Sequence, residues 1–324
     1  METNRLCGAQ ENALPVPVRI VFRGIGQVFF QEHAITGILF AVGIAVSSLT
    51  MAIGLVVGSA LGSGVAWVLK FDRSELTAGI YGFNAALVGI ATLFFFQPSG
   101  VSLALLVGGC VAATLLTRFL RGYLPFPTYT TPFIVTTWGL YFLGRFFQAA
   151  PVDPSQLGVL VPVVPAGFVV ESVVHGIGQV MFQASLWTGL LFLLGIAVND
   201  RRHACWVLAA SLFGMLLASH NVDAAMRALD PARLVERTQF DNIQLGLYGY
   251  NATLAAIALF LWRPSLVYSF LGIVFCIPLT ELVPLVGLPA LTAPFVMASW
   301  IVMIIGWLES RLLGKPPLPA PLPG

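Results

Sequence analysis

GIGQVFFQ, residues 24–31, sets two glutamines and two adjacent phenylalanines before a long apolar run, and GIGQVMFQ, residues 176–183, repeats the phrase. Three further echoes follow in the same order. GIAV at 43–46 returns at 195–198, YGFNA at 81–85 returns as YGYNA at 248–252, and TTPFIVTTW at 130–138 returns as TAPFVMASW at 292–300. The displacement is 152 for GIGQV and GIAV, then 167 and 162, and it grows at the polar stretch 219–241, which the first half lacks. Insertions in surface loops shift the numbering while packed segments keep their register. Four echoes in one order read as a duplicated unit.

The 324 residues are 58% hydrophobic and 9% charged, whereas a soluble domain carries about 25% charged residues. Mean hydropathy is +0.90. Uncharged stretches such as 34–69, 79–117 and 242–262 reach or exceed the roughly 20 apolar residues that cross a bilayer. The fold class read from this is an all-α polytopic membrane protein; a β-barrel would show weak alternating segments of about 10 residues instead. About ten transmembrane helices are expected, near 33–48, 50–69, 77–96, 101–119, 131–149, 179–198, 204–218, 242–262, 265–282 and 294–312. The short apolar pieces 13–27, 124–129, 159–178 and 283–291 are broken by Pro or Gly and are candidates for re-entrant half-helices.

This divides the chain into an N-terminal tail (1–18), a first repeat (19–150), a linker (151–170), a second repeat (171–312) and a Pro-rich tail (313–324). Each repeat holds five spans, an odd number, so the second enters the membrane from the opposite side. Inverted repeats of this kind place a substrate site near the midplane between halves. Basic residues agree with both termini in the cytoplasm of a plasma (inner) membrane. Arg5, Arg19, Arg23, Lys70, Arg73, Arg118, Arg121, Arg201, Arg202, Arg263, Arg311 and Lys315 then lie inside. Only Arg227, Arg233 and Arg237 lie outside, and Arg145 falls within a span. The start lacks the short apolar core of a signal peptide, so the first spans are expected to act as the uncleaved insertion signal.

A formal charge of +2 without a basic block gives no footprint for nucleic acid. The four cysteines form no CxxC pair, the four histidines show no metal spacing, and no nucleophile elbow or phosphate loop occurs. No enzyme, cofactor or metal site is expected.

The residues that carry chemistry are polar but uncharged. Gln27 and Gln179 sit in apolar segments, where an unpaired amide costs about 1–3 kcal/mol. They read either as caps of broken helices or as carbonyl acceptors for the N–H groups of a neutral solute. Phe30 and Phe182 follow three residues later, and Phe83 and Tyr250 occupy the YGxN motif. Such rings are core packing or the walls of a flat slot. Thr130 and Thr292 precede Pro132 and Pro294 by two residues, as helix caps would, and a central polar role is compatible. Glu32, Arg145 and Glu281 lie near span ends without symmetric partners (Glu32 aligns with Ala184), which argues against an ion or proton relay.

At GIGQVFFQ with GIGQVMFQ, GIYGFNAALVG with GLYGYNATLAA, and TYTTPF with PALTAPF, the sequence resembles the urea transporter family. The resemblance covers nearly all of 19–312. It implies a channel-like facilitator for urea, assembled in the lipid bilayer as a homotrimer with one pore per subunit and two outer sites joined by a narrow middle. Carried over by motif, Gln27, Phe30 and Phe83 would serve one half and Gln179, Phe182 and Tyr250 the other. Val28, Leu87, Val180 and Leu254 would narrow the path, and Thr130 and Thr292 would lie in its central stretch. Bacterial members tend to carry Glu where this chain has Gln179, so one charge is absent from the external site. Two rival readings stay open: a channel for another small neutral solute such as water, ammonia or a short amide, and a membrane enzyme or sensor with a buried site.

Overall fold

The computed structural model describes residues 11–152, 168–228 and 242–313, the side chains of 221–228 excepted. Most of the Pro-rich tail, most of the linker 151–170, much of the loop 219–241 with Arg233 and Arg237, the side chain of Arg227, and the residues Arg5 and Lys315 lie outside that set. Among the described residues the chain forms α-helices and short 3₁₀ turns, with one isolated β-bridge, Phe96 to Pro151. It divides into two compact units, Met1–Leu160 with Met181–Ala204, and Val161–Val180 with Cys205–Gly324. The division cuts across the sequence repeat, because Met181–Ala204 belongs with the first half.

The first unit contains α1 (Val16–Gly26), α2 (Ala34–Ser47), α3 (Leu49–Val68), α4 (Arg73–Thr77), α5 (Phe83–Phe95), α6 (Gly100–Tyr123), α7 (Thr131–Phe146) and, in chain order after α8, α9 (Leu186–Asn199). The second contains α8 (Phe168–Gly178), α10 (Arg201–Ala228, assigned here from Cys205 onward), α11 (Gly249–Trp262), α12 (Leu266–Leu282) and α13 (Ala293–Leu312). Five segments are long and apolar enough to cross a membrane: α3, α6, Arg201–His220, Leu266–Val286 and α13. Two more arise if bent pairs count as single spans, Val16–Phe29 with Ala34–Ser47 at 76° and Val169–Met181 with Leu186–Asn199 at 75°. Large apolar side chains such as Trp67, Leu103, Leu266 and Leu312 stand exposed on these helices, as lipid-facing surfaces require.

Each expected span contains a helix, but α2, α5, α7, α9 and α11 have only 13–16 residues, and two of these, α5 and α11, start after a turn inside the expected span. The stretches 77–96 and 242–262 are helical only from Phe83 and Gly249, for 13 and 14 residues. At about 1.5 Å per residue these reach roughly 20 Å, short of a hydrocarbon core of about 30 Å. The cause is a glycine in the left-handed region, Gly79 at φ +86 and Gly246 at φ +75, which breaks the apolar run into turn and helix. Both short helices are the hubs of their units. Every residue from Phe83 to Thr92, and from Gly249 to Leu259, is buried, the mark of a helix surrounded by other helices. Small residues allow the approach: a Cβ on Gly58 would stand 2.3 Å from the Ala85 carbonyl oxygen, and one on Gly89 would stand 2.1 Å from that of Gly54.

Of the expected half-helices, 13–27 appears as α1 and the described part of 159–178 as α8. The stretch 124–129 is not helical, since Pro125 and Pro127 remove amide donors and bias the preceding residues toward extended backbone. The piece 283–291 is helical only as the 3₁₀ turn Val283–Val286.

Within the first unit, α2 and α9 pack antiparallel through reciprocal contacts. Thr36 Oγ1 donates to the Gly195 carbonyl at 2.7 Å, and Thr188 Oγ1 donates to the Gly43 carbonyl at 2.7 Å. Phe40 and Phe192 meet with ring centroids 4.7 Å apart. Every one of these pairs (36 and 188, 43 and 195, 40 and 192) is offset by 152, the displacement of the GIGQV echo. Reciprocal contact between equivalent residues is the signature of a local two-fold axis.

Candidate functional site

The glutamine-phenylalanine phrase forms a tight corner. After α1 the chain makes the 3₁₀ turn Gln27–Phe29, and Phe30 then adopts the left-handed conformation at φ 59, ψ 29. The corresponding turn Gln179–Met181 ends at Phe182 with φ 62. A non-glycine residue with positive φ is strained unless its surroundings hold it, and both copies of the motif place it on the same phenylalanine. Gln27 Nε2 donates to the Ala78 carbonyl at 2.9 Å, which fixes the plane of its half-buried amide. Gly24 makes that approach possible, because a Cβ there would stand 2.5 Å from Ser59 Oγ and 3.1 Å from Gly82 Cα.

The second unit builds the same joint from its own residues. A Cβ on Gly176 would stand 2.3 Å from Ser211 Oγ and 3.1 Å from Gly249 Cα. Ser59 Oγ donates to the Val21 carbonyl and Ser211 Oγ to the Val173 carbonyl, each at 2.7 Å. Gln179 is half-buried and Val180 buried, as are Gln27 and Val28 respectively. Leu87 and Leu254 are fully enclosed on α5 and α11, and Phe83 and Tyr250 are buried at the starts of those helices.

The aromatic neighbours are local to each unit. Phe30 meets Tyr129 edge-on with centroids 5.8 Å apart. Phe182 packs within the first unit, 4.8 Å from Phe94 and 6.3 Å from both Phe95 and Phe133. The motif alone groups Phe182 with Gln179 and Tyr250; the reversal of the chain at its positive φ sends its ring toward α5 and α7 instead. Tyr250 donates its hydroxyl to the Leu291 carbonyl at 2.7 Å.

Thr130 and Thr292 occupy the N-cap positions of α7 and α13, yet neither hydroxyl makes the capping bond to its own helix. The cap comes from elsewhere. Asn84 Oδ1 accepts the Phe133 N–H and Asn251 Oδ1 accepts the Phe295 N–H, both at 3.2 Å. Those amides belong to the third helical residue, the donor that an N-cap hydroxyl ordinarily takes. The same asparagines reach back with Nδ2, Asn84 to the Tyr129 carbonyl and Asn251 to the Leu291 carbonyl, both at 3.4 Å. Tyr129 and Leu291 themselves have positive φ, 45 and 46. The YGxN motif thus holds the turn that presents each threonine. Sequence reading missed both asparagines and Tyr129; the exact duplication of the asparagine at an offset of 167 was the available signal, whereas Tyr129 is matched by Leu291 and gave none.

The charged residues stay at the periphery. Arg23 joins Glu11 at 2.6 Å and Glu32 at 3.1 Å, and Glu32 is exposed. Arg145 lies over the Tyr141 ring, and Glu281 accepts from the Tyr248 hydroxyl at 3.1 Å. No cluster of three or more His, Cys, Asp or Glu that could hold a metal occurs among the described residues. Buried Glu11 also accepts the Ala34 N–H at 3.0 Å, which is the first amide of α2. Burial pushes its carboxyl pKa up, but the Arg23 hydrogen bond, the Ala34 amide and the nearby positive charges outweigh that and leave it lowered. A lowered folded-state pKa stabilises the protein above the unfolded value of about 4.3 and loses that contribution as pH falls through the folded value. Glu11→Gln is therefore expected to lower thermal stability by about 1–3 kcal/mol at neutral pH. In melting curves across acid pH, the gap to the parent should close as Glu11 protonates.

A urea transporter family profile matches residues 18–306. The curated relatives include Urea transporter 1 of Capra hircus, 27% identical over 317 residues, with 88% of this chain and 76% of the relative covered. Urea transporter 1 of Ovis aries is 28% identical over 315 residues with the same coverage. Urea transporter 1 of Rattus norvegicus is 28% identical over 313 residues, again covering 88% and 76%. The chain is an integral membrane protein, and with a profile that spans most of its length it belongs to the urea transporter family.

Proposed function

We propose that the chain conducts urea passively across the plasma (inner) membrane, through a path lined by the two repeat-related residue sets, with both termini in the cytoplasm. The reading rests on family membership together with the recurrence of one joint in both halves: the Gln27 and Gln179 corners, the positive-φ phenylalanines, and the Asn84 and Asn251 caps behind Thr130 and Thr292. The reciprocal bonds between α2 and α9 support an inverted duplication, since antiparallel equivalent helices are related by an axis across their length. Val28, Val180, Leu87 and Leu254 narrow the path beside the rings of Phe30, Phe83, Phe182 and Tyr250. A homotrimer with one pore per subunit is part of the same reading.

Urea suits such a lining. It is flat and neutral, and it offers four N–H donors and one carbonyl acceptor. Glutamine and backbone carbonyls can accept from its edge while aromatic rings cover its faces. Irregular backbone is tolerated at membrane depth where it lines a cavity, and conduction needs binding strong enough to admit the solute and weak enough to release it. Stopped-flow shrinkage of proteoliposomes in an inward urea gradient tests the reading. Urea permeability well above that of empty vesicles is expected; permeability equal to theirs would refute it. Inhibition by a urea analogue separates urea from rival solutes, because a path built for water or ammonia would be indifferent to the analogue.

A further inference from the structure

Each phenylalanine corner is backed by a buried glutamine, and the two glutamines end on different chemistry. Gln31 Nε2 donates to the Phe29 carbonyl at 2.6 Å, and Gln183 Nε2 donates to the Met181 carbonyl at 3.3 Å. That carbonyl belongs to the peptide whose plane sets φ of the next residue, Phe30 or Phe182. The glutamine amide therefore pins the strained torsion. Its second contact comes from the first turn of another helix in the same unit, and here the copies diverge. Gln31 Nε2 stands 3.1 Å from His203 Nδ1, while Gln183 Nε2 stands 3.4 Å from the Met51 sulfur. His203 and Met51 are offset by 152, so they are repeat equivalents, each the third residue of its helix.

We infer that Gln31 and Gln183 are positioning residues for the two phenylalanine corners, and that His203 makes the Gln31 corner, but not the Gln183 corner, responsive to pH. With Nδ1 unprotonated, the imidazole accepts a Gln31 N–H. The remaining N–H goes to Phe29, and Gln31 Oε1 accepts from Asn199 Nδ2 at 2.8 Å. Protonation turns Nδ1 into a donor and sets it against the Gln31 amide nitrogen. Gln31 Oε1, 3.4 Å away, lies within reach of that N–H, so the protonated ring attracts the amide oxygen and repels the amide nitrogen, which favours rotation of the amide. Rotation removes the donor from the Phe29 carbonyl and the acceptor from Asn199, and so releases the torsion that presents Phe30. Thioether sulfur at Met51 does not titrate, so the other corner is unaffected.

The groups facing the imidazole are few. From the 27–33 corner it meets the Gln31 amide, and Asp200 at the start of its own helix is the charge whose field reaches it. Arg201 and Arg202 are exposed, and Glu32, beside Gln31, is drawn to Arg23.

This inference rests on the urea-channel reading, and one experiment separates the two. Urea flux is measured in proteoliposomes with the same buffer inside and out, near pH 7.5 and near pH 4.5, the lower value being acid enough to protonate a partly buried histidine. The parent is expected to lose about fivefold or more of its flux at the lower pH, in the range typical of coupling between sites. His203→Met, which copies the other corner, and His203→Gln, which keeps an uncharged polar group, are expected to hold their neutral-pH flux at both values. Two variants are used so that poor folding of one leaves the comparison intact. Parent flux that is present but equal at both pH values, or a drop retained in both variants, would overturn the His203 assignment alone. Absence of flux at both pH values would instead overturn the urea reading.

Discussion

Asn84→Leu is expected to abolish most urea flux and to destabilise the protein, and Asn251→Leu is expected to do the same. Each asparagine serves two buried backbone groups at once, an amide at the start of a helix and a carbonyl in the turn before it. Leucine fills the space and serves neither. A buried donor or acceptor left without a partner costs about 1–3 kcal/mol, so the loss is roughly 2–6 kcal/mol at Asn84 and about 1–3 kcal/mol at Asn251, where the Leu291 carbonyl keeps the Tyr250 hydroxyl. That is a large share of the roughly 5–15 kcal/mol by which proteins exceed their unfolded state. The turns affected contain Tyr129 and Leu291, whose positive φ needs support. Thermal unfolding in detergent, read beside vesicle flux, checks this. A variant with parental melting temperature and flux would show that the trans-caps are dispensable.

The second large effect concerns the threonines themselves. Because Asn84 and Asn251 hold the third-residue amides of α7 and α13, Thr130→Val and Thr292→Val leave those caps in place. What they remove is a hydroxyl that can exchange hydrogen bonds with a passing solute. A net hydrogen bond is worth about 1 kcal/mol, or about fivefold in rate, so the double variant is expected to lose about 25-fold of its urea flux. The contrast with the asparagine variants is the informative part. The threonine variants should lose flux with a smaller change in melting temperature than the asparagine variants, because the first turns of α7 and α13 keep their caps. Parental flux in the double threonine variant would take these residues off the path.

Helix positions were legible in the sequence because the signal is local: uncharged runs such as 50–69 and 101–117 can only be buried or lipid-facing, and they appear as α3 and α6. The duplication was legible because four motifs recur in order. The turns inside 77–96 and 242–262 were hidden, since Gly79 and Gly246 look like ordinary small residues within an apolar run. Only the close approach of α1 and α8 shows why they are needed: a Cβ on Gly79 would stand 2.4 Å from the Gly24 nitrogen, and one on Gly246 would stand 2.1 Å from the Gly176 nitrogen. At the site, Gln27, Phe30 and Thr130 could be named from their motifs, but their partners could not. Capping of α7 by a residue 49 positions earlier, and the meeting of Gln31 with His203 across 172 positions, are non-local contacts. No window of sequence contains both ends of either. The two helix-cap threonines were read with the right position and the wrong acceptor for the same reason.

The central claim is that an uncharged lining of acceptors and rings passes a flat neutral solute and rejects a charged one of the same shape. Guanidinium is planar and close to urea in size, but it carries a full positive charge. An unpaired charge costs far more to bury than a hydrogen-bonded amide, and Glu11, Glu32 and Arg23 are tied to one another away from the threonines. Urea and guanidinium permeabilities measured on the same proteoliposomes, each against empty vesicles, therefore test it most directly. The account predicts rapid urea entry and guanidinium entry no faster than through bare lipid; comparable rates for both would contradict it.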